Sequence, residues 1–587
     1  MRPSIAQLAL AALPLALAAC GGGGTPDPLQ PYRTQAVQWT ECDPGILGQP
    51  SGAMNALRVS PRLRCAQVRA PIDWKNPARG DLSLAVMRLA AGQPKARRGA
   101  LFFNPGGPGL DGLPVTFRLW DAFADSHPGN PQGAQQLRLL DEYDLVGFSP
   151  RGTGASTQLQ CGTNEPERPV DFSPAGWDTP FNLANVHYNG RKAAEACARN
   201  PLTPHITTDA TARDLDLLRG LLGDERLHYV GYSYGTWLGA WYASLFPERV
   251  GRMVLDGVID FGSTLEQALL HAQPPARQRL FDEVLAPYAA RHADDFHLGT
   301  SVDAVRAAVQ ALSPEVQAVL GETLSGFGYQ RLQANAYLER ITAAQGLDAA
   351  RGEVPGLDAP DAVRAALGRH VFDPAVPERD AALRRVAWEE LYPAYTHTWL
   401  APGKSIFLDS PMATGTAIRC NDTPAITGLA DWTAAVRRVA RQAPLHFGGL
   451  LAHHACAFWS LPIAARPDAA AMRQLPVLLV QSQYDSATPA EGADAFFARL
   501  PAARRVHVPG DFQHGVYPYG DDCVDPLVTG YLLGETPAPR DTACTAHPLA
   551  LDQALRKSAD GEPPVYRDPQ RAEALIDAFK QGLAPRL

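Results

Sequence analysis

The sequence predicts an α/β protein with a mostly parallel central sheet and a large helical insertion. Short apolar runs alternate with stretches of helical periodicity up to about residue 258, and the same alternation resumes at about residue 475. Between them, in 263–473, Ala, Leu and Arg dominate and strand-like runs are few. A chain of 587 residues is too long for one simple core. We therefore expect a sheet domain formed by 41–262 and 474–587, with 263–473 inserted as a helical lid.

The strands are predicted from short runs rich in β-branched and aromatic residues, bounded by Gly and Pro. Most of these runs are apolar throughout, which is typical of parallel strands buried on both faces. An amphipathic helix is expected from Thr208, with Leu215, Leu218 and Leu222 on one face. In chain order, the predicted strands are 63–68, 81–89, 99–103, a short strand that begins at Tyr143, the strand before Ser233, 252–258, an apolar strand that begins at Leu475 and a last strand that begins at Arg505.

The central motif is Gly231-Tyr232-Ser233-Tyr234-Gly235, which joins the strand at 227–232 to an apolar helix. A serine at a sharp turn between strand and helix, with glycine two residues to either side, is typical of a nucleophile elbow. The free amides at the start of the helix then point at the reacting atom. Because Gly and Ser are common, the pentapeptide alone is a weak signal, and the prediction depends on the strand and helix around it.

Two later loops supply the partners that a serine nucleophile needs. Asp485 follows an apolar strand, and His514 lies in the loop after the last predicted strand. Ser, Asp and His in this chain order are typical of one class of hydrolase triad, although an Asp after a strand is often only a helix cap. His507 lies within a strand and is the weaker candidate base. We predict that Ser233 attacks a carbonyl, that His514 accepts its proton and that Asp485 orients the imidazole.

The loop from Asn104 to Gly109 contains three glycines and two prolines directly after a buried strand, which demands a tight, irregular turn with exposed amides. A plain surface turn is the alternative interpretation. The position of the loop favours an oxyanion hole formed by the amides of Gly107 and Tyr234. The second Gly-rich loop, at 149–154, is interpreted as a structural turn held by Arg151. This chemistry requires no cofactor and no metal.

The first 19 residues have the short apolar core of a secretion signal. They end in Leu17-Ala18-Ala19-Cys20, which resembles a bacterial lipobox and predicts lipidation of Cys20. The alternative is an ordinary signal peptide in which Cys20 is incidental. Residues 20–40 are expected to form a flexible tether. We predict an exported protein, lipid-anchored in the bacterial cell envelope, or secreted if Cys20 is not lipidated.

The eight other cysteines are an even number in an exported chain, which predicts disulfides. Sequence alone does not fix their connectivity, but they fall into four successive local couples. A metal site is the alternative interpretation. However, the sequence has no C-x-x-C motif, and the histidine doublet His453-His454 beside Cys456 lacks further ligands at zinc spacing. The net charge of −8 gives no basic surface for nucleic acid. The predicted pairs are Cys42 with Cys65, Cys161 with Cys197, Cys420 with Cys456, and Cys523 with Cys544.

Jointly these motifs resemble the secreted serine aminopeptidases of the proline-iminopeptidase and tripeptidyl-aminopeptidase type, which are bacterial α/β-hydrolases. The resemblance extends to a C-terminal module around 523–544, which is similar to the tail of the tripeptidyl branch. Pro105 stands where proline iminopeptidases usually have histidine, and this also favours the tripeptidyl branch. The motifs that carry the resemblance are 104–109, 144–154, 231–236, Asp485 with Thr488-Pro489, and His514-Gly515.

The resemblance implies an α/β-hydrolase whose helical lid is inserted before the strand that bears the acid. It also implies an exopeptidase that releases short peptides or single residues from peptide N-termini through an acyl-enzyme. Its partners would be peptide substrates, and its only membrane contact the lipid anchor. A non-peptide esterase or amidase is the alternative, since fold does not decide substrate. A non-catalytic binding protein ranks last, because every member of the triad is present.

Cleavage next to a free N-terminus requires recognition of an ammonium group, and a desolvated ammonium needs a carboxylate partner in the lid. The candidates are Asp422, Glu389 and Glu390. Asp422 is preferred because a disulfide at Cys420 would hold it rigidly. Solvated surface charge is the alternative for each of the three.

Overall fold

The computed structural model describes residues 27–43, 45, 60–124, 126, 129, 131–400, 403–535 and 539–553. The predicted signal peptide, Cys20 and the first part of the tether lie outside these residues. In the described part of the chain, no helix has both the length and the apolar character needed to span a membrane.

The described residues form a nine-stranded central sheet and a separate two-stranded one. In chain order the strands are β1 Leu63–Pro71, β2 Asp81–Leu89, β3 Ala100–Asn104, β4 Asp144–Phe148, β5 Cys161–Pro166, β6 Leu227–Tyr232, β7 Val250–Asp256, β8 Ser405–Leu408, β9 Leu478–Ser482, β10 Arg504–Val508 and β11 Asp541–Ala543. The central order is β1-β2-β4-β3-β6-β7-β9-β10-β11. Only β1, β2 and β4 pair antiparallel there; from β4 to β11 every pairing is parallel. The predicted mostly parallel sheet is confirmed.

The helices before the insertion flank this sheet. They are α1 Gln30–Arg33, α2 Gly112–Ala124, α3 Pro131–Glu142, α4 Pro180–Ala198, α5 Thr208–Leu221 and α6 Tyr234–Leu245. Thr207 caps α5 by accepting the Ala210 N–H, so the predicted helix at Thr208 begins where expected.

The insertion between β7 and β9 is mainly helical. Its helices are α7 Gln273–Leu280, α8 Ala286–Arg291, α9 Ala293–Phe296, α10 Val302–Gln310, α11 Pro314–Ser325, α12 Ala334–Glu353, α13 Pro360–Arg369, α14 Pro377–Arg385, α15 Tyr392–Tyr395, α16 Ser410–Asp422, α17 Leu429–Gln442 and α18 Gly449–Ala452. The chain then returns to the sheet with α19 Ala490–Arg499 and α20 Val524–Leu532.

The sheet has a core on each face, because successive side chains of a strand point to opposite sides. In β3, Phe102 packs into one core, while Leu101 and Phe103 pack into the other. Helices α5 and α6 cover the first face through residues such as Leu215 and Trp237. Helices α2, α3 and α20 cover the second face. The elbow helix α6 is therefore held rigidly against the sheet.

The lid contains its own core, formed mainly by buried residues between Leu280 and Tyr395. Two parts of it differ from a purely helical insertion. Strand β8 pairs with β5, so the lid and the excursion after β4 share a small sheet. Helix α16 packs into the main core through Ala413, Ala417 and Ile418. These connections depend on contacts distant in sequence, which local periodicity does not reveal. The domain boundaries at 262/263 and 473/474 stay predictions.

Four disulfides form within the described residues, and they are the four predicted pairs. Their Cα–Cα distances are 4.9, 4.7, 5.0 and 5.8 Å for Cys42–Cys65, Cys161–Cys197, Cys420–Cys456 and Cys523–Cys544.

Arg151 also has the structural place that was predicted. It forms a fully buried ion pair with Asp214, with 2.6 Å between Nη2 and Oδ1, and donates to backbone carbonyls at Pro71, Ile72 and His205.

Candidate active site

Ser233 lies at the turn between β6 and α6 in a conformation that side chains rarely adopt, with φ 55° and ψ −122°. Gly231 and Gly235 flank the serine, and neighbouring backbone atoms leave no room for a side chain at either position. A Cβ on Gly231 would lie 2.4 Å from the Gly235 oxygen, and a Cβ on Gly235 would lie 2.7 Å from the Asn104 oxygen. The strained turn therefore projects the serine out of the strand at the edge of the sheet.

The loop after β3 packs directly against this elbow. Gly106 has φ +96°, and a Cβ there would lie 2.5 Å from the Tyr232 oxygen and 3.0 Å from the Tyr234 nitrogen. The Gly106 N–H donates to the Asn104 Oδ1 at 3.0 Å. Within the described residues, the N–H groups of Gly107 and Tyr234 have no acceptor. Both predicted oxyanion donors are thus next to the elbow with their hydrogens unused.

His514 and Asp485 form a buried pair at the same edge of the sheet. The His514 Nδ1 lies 2.8 Å from Asp485 Oδ2 and 3.0 Å from Oδ1. The carboxylate also accepts the N–H groups of Ala487 and Thr488 and the Thr488 hydroxyl, each at 2.8 Å. Because these donors fix the carboxylate, the pairing assigns the Nδ1 proton to the side of Asp485 and leaves Nε2 as the basic nitrogen. His507, by contrast, pairs with Asp541 at 3.0 Å near the surface.

Asp256 joins the nucleophile to the base, and sequence reasoning did not assign it a role. Its backbone oxygen accepts the Ser233 N–H at 2.9 Å. Its carboxylate accepts the N–H groups of Val516 and Tyr517, just after His514, at 2.8–3.0 Å. A Cβ on the next residue, Gly257, would lie 3.0 Å from the His514 ring. The signal in the sequence is a carboxylate that ends an apolar parallel strand beside the elbow strand.

The electrostatics favour a basic imidazole. Burial lowers the pKa of His514, but the carboxylates of Asp485 and Asp256 offset this effect, and the pKa ends above its ordinary value. Burial also raises the pKa of Asp256 to about 7, against the hydrogen bonds from Tyr517 and Val516. The imidazolium that forms during proton transfer is therefore stabilised by the Asp485 carboxylate and, in the fraction of molecules where it is ionised, by Asp256.

The structure does not bring the three predicted ammonium ligands to this site. Asp422 is 1% exposed and accepts the Thr208 N–H at 2.9 Å, enclosed by α5 and α6 behind the nucleophile. Burial raises its pKa to about 7. Because α16 packs into the main core, the disulfide-linked segment that was expected to hold Asp422 rigidly also closes it off from solvent. Glu390 is exposed and pairs with Arg340, and Glu389 is exposed on the same turn of the lid.

A different part of the lid contacts the base. The backbone N–H of His514 donates to the backbone oxygen of Tyr329 at 2.8 Å, and the centroids of the two side-chain rings lie 5.6 Å apart. Arg277 on α7 donates to the Tyr329 hydroxyl at 3.1 Å. Glu322 on α11 lies near Arg277 and keeps an accessible side chain. Desolvation by the surrounding protein raises the pKa of its carboxyl, and the charge of Arg277 opposes this rise. Helical periodicity gave no signal for Arg277 or Glu322, because it does not tell which lid residues face the sheet.

The family model described as the alpha/beta hydrolase fold matches residues 99–521 of the chain. With the strained serine, the buried Asp–His pair and the parallel sheet in place, this match shows the class: the chain belongs to the α/β-hydrolase family. The predicted fold class and this part of the predicted resemblance are confirmed.

Relatives match over most of their length. The chain is 29% identical over 503 residues to a tripeptidyl aminopeptidase of Streptomyces lividans, covering 83% of this chain and 84% of the relative. It is 29% identical over 560 residues to a Mycobacterium tuberculosis protein named serine protease Hip1, covering 91% and 96%. A protein of the same species named carboxylesterase B is 30% identical over 561 residues, covering 92% and 95%.

Proposed function

We propose that this protein is a serine exopeptidase that releases short peptides or single residues from peptide N-termini. The observation that carries the proposal is the buried Asp485–His514 pair, which Asp256 joins to a strained Ser233. The similarity to a tripeptidyl aminopeptidase and a serine protease over more than four fifths of the chain supports peptide substrates.

In the proposed mechanism, the Ser233 hydroxyl attacks the substrate carbonyl while the His514 Nε2 accepts its proton. Asp485, held by four other donors, keeps the imidazole in one orientation. The N–H groups of Gly107 and Tyr234 donate to the developing oxyanion, in a place already set by the loop packing. His514 then gives the proton to the leaving amine. Water, activated by the same nitrogen, hydrolyses the acyl-enzyme.

We propose Glu322 as the partner of the substrate ammonium, in place of Asp422, Glu389 and Glu390. It is an accessible lid carboxylate in the region where the lid contacts the base, through Arg277 and Tyr329. A charge-assisted hydrogen bond from an ammonium to this carboxylate would favour peptides with a free N-terminus.

Export and anchoring through Cys20 are part of the same proposal. Leu17-Ala18-Ala19-Cys20 and the four disulfides support it, since disulfides persist in oxidising compartments. Replacement of Cys20 with Ala should move the enzyme from the membrane fraction to the soluble one. Retention of the variant in the membrane would contradict the lipid anchor.

The main experiment compares fluorogenic tripeptidyl, Pro and Ala amides, each with a free or a blocked N-terminus, beside a simple ester. Free tripeptidyl amides should be hydrolysed at least tenfold faster than blocked ones. Ser233→Ala should lose about 10⁶-fold in kcat on every substrate. Equal turnover of blocked and free peptides would exclude the exopeptidase proposal.

An esterase acting on non-peptide substrates is the second candidate, favoured by the similarity to a protein named carboxylesterase B. The same assay separates the two functions. Hydrolysis of the ester without hydrolysis of any peptide amide would favour the esterase.

A further inference from the structure

Among the arginines of the inserted region that are at least partly buried, two have no carboxylate partner within the described residues. The Arg277 Nη2 donates to Gln273 Oε1 and to the Tyr329 hydroxyl, each at 3.1 Å, and its buried Nε has no acceptor. The Arg419 Nη2 reaches only Thr416 Oγ1 at 3.3 Å and His453 Nδ1 at 3.4 Å, and its buried Nε also has no acceptor.

No carboxylate oxygen lies within 4.0 Å of either guanidinium group in the part of the chain that the structure describes. Arg277 and Arg419 are partly buried, whereas the fully buried arginines among the described residues pair with carboxylates. Arg151 pairs with Asp214, and Arg331 pairs with Asp511. Five other arginines also have a buried Nε without an acceptor in the described residues, but each of those five pairs with a carboxylate. The combination of an unsatisfied Nε and no carboxylate partner therefore sets Arg277 and Arg419 apart, because a guanidinium withdrawn from water is costly without a carboxylate.

Each arginine is linked to the candidate active site by a chain of contacts. Arg277 reaches it through Tyr329, whose ring and backbone oxygen contact His514. Arg419 reaches it through α16, which packs on the loop that carries the proposed oxyanion donor. A Cβ on Gly415 would lie 2.7 Å from the Pro108 oxygen. Gly415 and Arg419 are four residues apart on one helix face, so the backbone of Arg419 lies one turn from that contact.

The two guanidinium groups also act on a common neighbour. Burial, then Arg419 and then Arg277 lower the pKa of His453 to about 3. Burial and Arg277 lower the pKa of His446 to about 3 as well. Both imidazoles are therefore neutral near pH 7 and give the arginines no negative partner. The carboxylates that face the pair are Glu322, near Arg277, and Glu266, near Arg419. Glu266 accepts the Ile426 N–H at 2.7 Å.

We propose that Arg277 and Arg419 form a subsite that binds a substrate carboxylate next to the scissile bond. This rests on the proposed peptidase function and narrows its substrate class to peptides that present a negative charge there. Two sources supply the same chemistry: an Asp or Glu side chain, or the free C-terminus of a short peptide. Guanidinium groups suit this role because they bind carboxylates through paired N–H donors.

The test uses the full chain and matched substrates. The first arm replaces each residue of a free Ala-Ala-Ala aminocoumarin amide in turn with Asp or with Asn. The second arm compares tetra-alanine that has a free C-terminus with its C-terminal amide. We expect that in one of the two arms the substrate with the carboxylate has a kcat/KM at least tenfold higher than the matched substrate with the amide. The arm that shows the preference identifies the source of the carboxylate.

Arg277→Gln and Arg419→Gln should each lower that carboxylate-to-amide ratio at least tenfold. Arg279→Gln is the matched control, because Arg279 lies on the same helix but pairs with Glu491. Its ratio should not change. Arg419→Lys keeps the charge and should keep most of the preference, and it replaces Arg419→Gln if that variant does not fold.

A ratio near one in both arms of the wild type would overturn the subsite, while continued turnover of free-amine peptides would leave the exopeptidase proposal standing. An equal loss on the carboxylate and amide substrates in the arginine variants would also overturn it. Absence of all peptide hydrolysis, with ester hydrolysis intact, would instead reject the peptidase function itself.

Discussion

The catalytic carboxylates at the edge of the sheet and the arginines of the lid differ in how their hydrogen-bonding groups are satisfied. At the edge, Asp485 accepts from His514 and four other donors, and Asp256 accepts from two backbone amides. Under the lid, the Nε atoms of Arg277 and Arg419 and the Nδ1 of His446 are buried without partners. The first region is preorganised by the protein alone, as proton transfer requires. The second has hydrogen-bonding groups that no protein atom among the described residues satisfies, which leaves them open to a ligand or to water.

If this contrast is right, damage at the edge should reduce kcat for every substrate. The largest effect is expected from Asp485→Asn, which replaces the fixed carboxylate with an amide that favours the wrong imidazole tautomer. We expect a loss of about 10⁴-fold in kcat on both peptide amides and esters. Asp494→Asn on the exposed face of α19 is the control and should have no effect. A loss of activity on peptides but not on esters would mean that Asp485 contributes to substrate recognition rather than to catalysis.

The loop between β3 and α2 provides the next test. In Gly106→Ala the new Cβ would lie 2.5 Å from the Tyr232 oxygen, at a φ of +96° that alanine disfavours. The loop must shift, and one oxyanion donor shifts with it. We expect kcat to fall by about 10²–10³-fold, together with a lower melting temperature. Gly220→Ala, where nothing lies within 4 Å of the new Cβ, is the matched control. Wild-type kcat in Gly106→Ala would exclude this loop from the oxyanion hole.

Changes under the lid should depend on the substrate. Glu322→Gln removes the proposed partner of the ammonium group while it keeps the side-chain shape. We expect KM for free-amine peptides to rise by about 10–100-fold, with little change for a blocked peptide or an ester. Steady-state kinetics on the three substrates give the answer. If Glu389→Gln shows this pattern and Glu322→Gln does not, then Glu389, and not Glu322, binds the substrate ammonium group.

The sequence predicts the edge far better than the lid, for physical reasons. Parallel strands end at one edge, so the positions of Ser233, Asp485 and His514 after successive strands predict that all three lie at that edge. The burial of Asp422 depends on α16 packing against α5, a contact between residues more than 200 positions apart. The roles of Arg277 and Glu322 depend on which lid face meets the sheet, which a helical period does not specify. Local patterns report strand ends and loops, whereas recognition residues depend on tertiary packing.

Asp256 lies between the two extremes, because it is at the edge but was not predicted. Its carboxylate raises the pKa of His514 and is itself held by the Val516 and Tyr517 amides. The other titratable groups that face it are Asp485, Tyr232, Tyr519 and Asp525. Asp256→Asn keeps an oxygen to accept both amides but removes the charge. The pKa of His514 should therefore fall.

The pH profile separates this charge effect from a purely structural role. The base is active when neutral, so the acid limb of kcat/KM in the wild type should lie above the ordinary histidine value of about 6.5. In Asp256→Asn the limb should move to lower pH by about one unit, with kcat on the plateau reduced by about tenfold because the imidazolium loses a stabilising charge. Asp256→Ala also removes the acceptor for both amides and should lower the melting temperature more than Asp256→Asn does. If the plateau value of kcat falls but the acid limb of kcat/KM does not move, then Asp256 supports the structure of the site and does not act on the charge of His514.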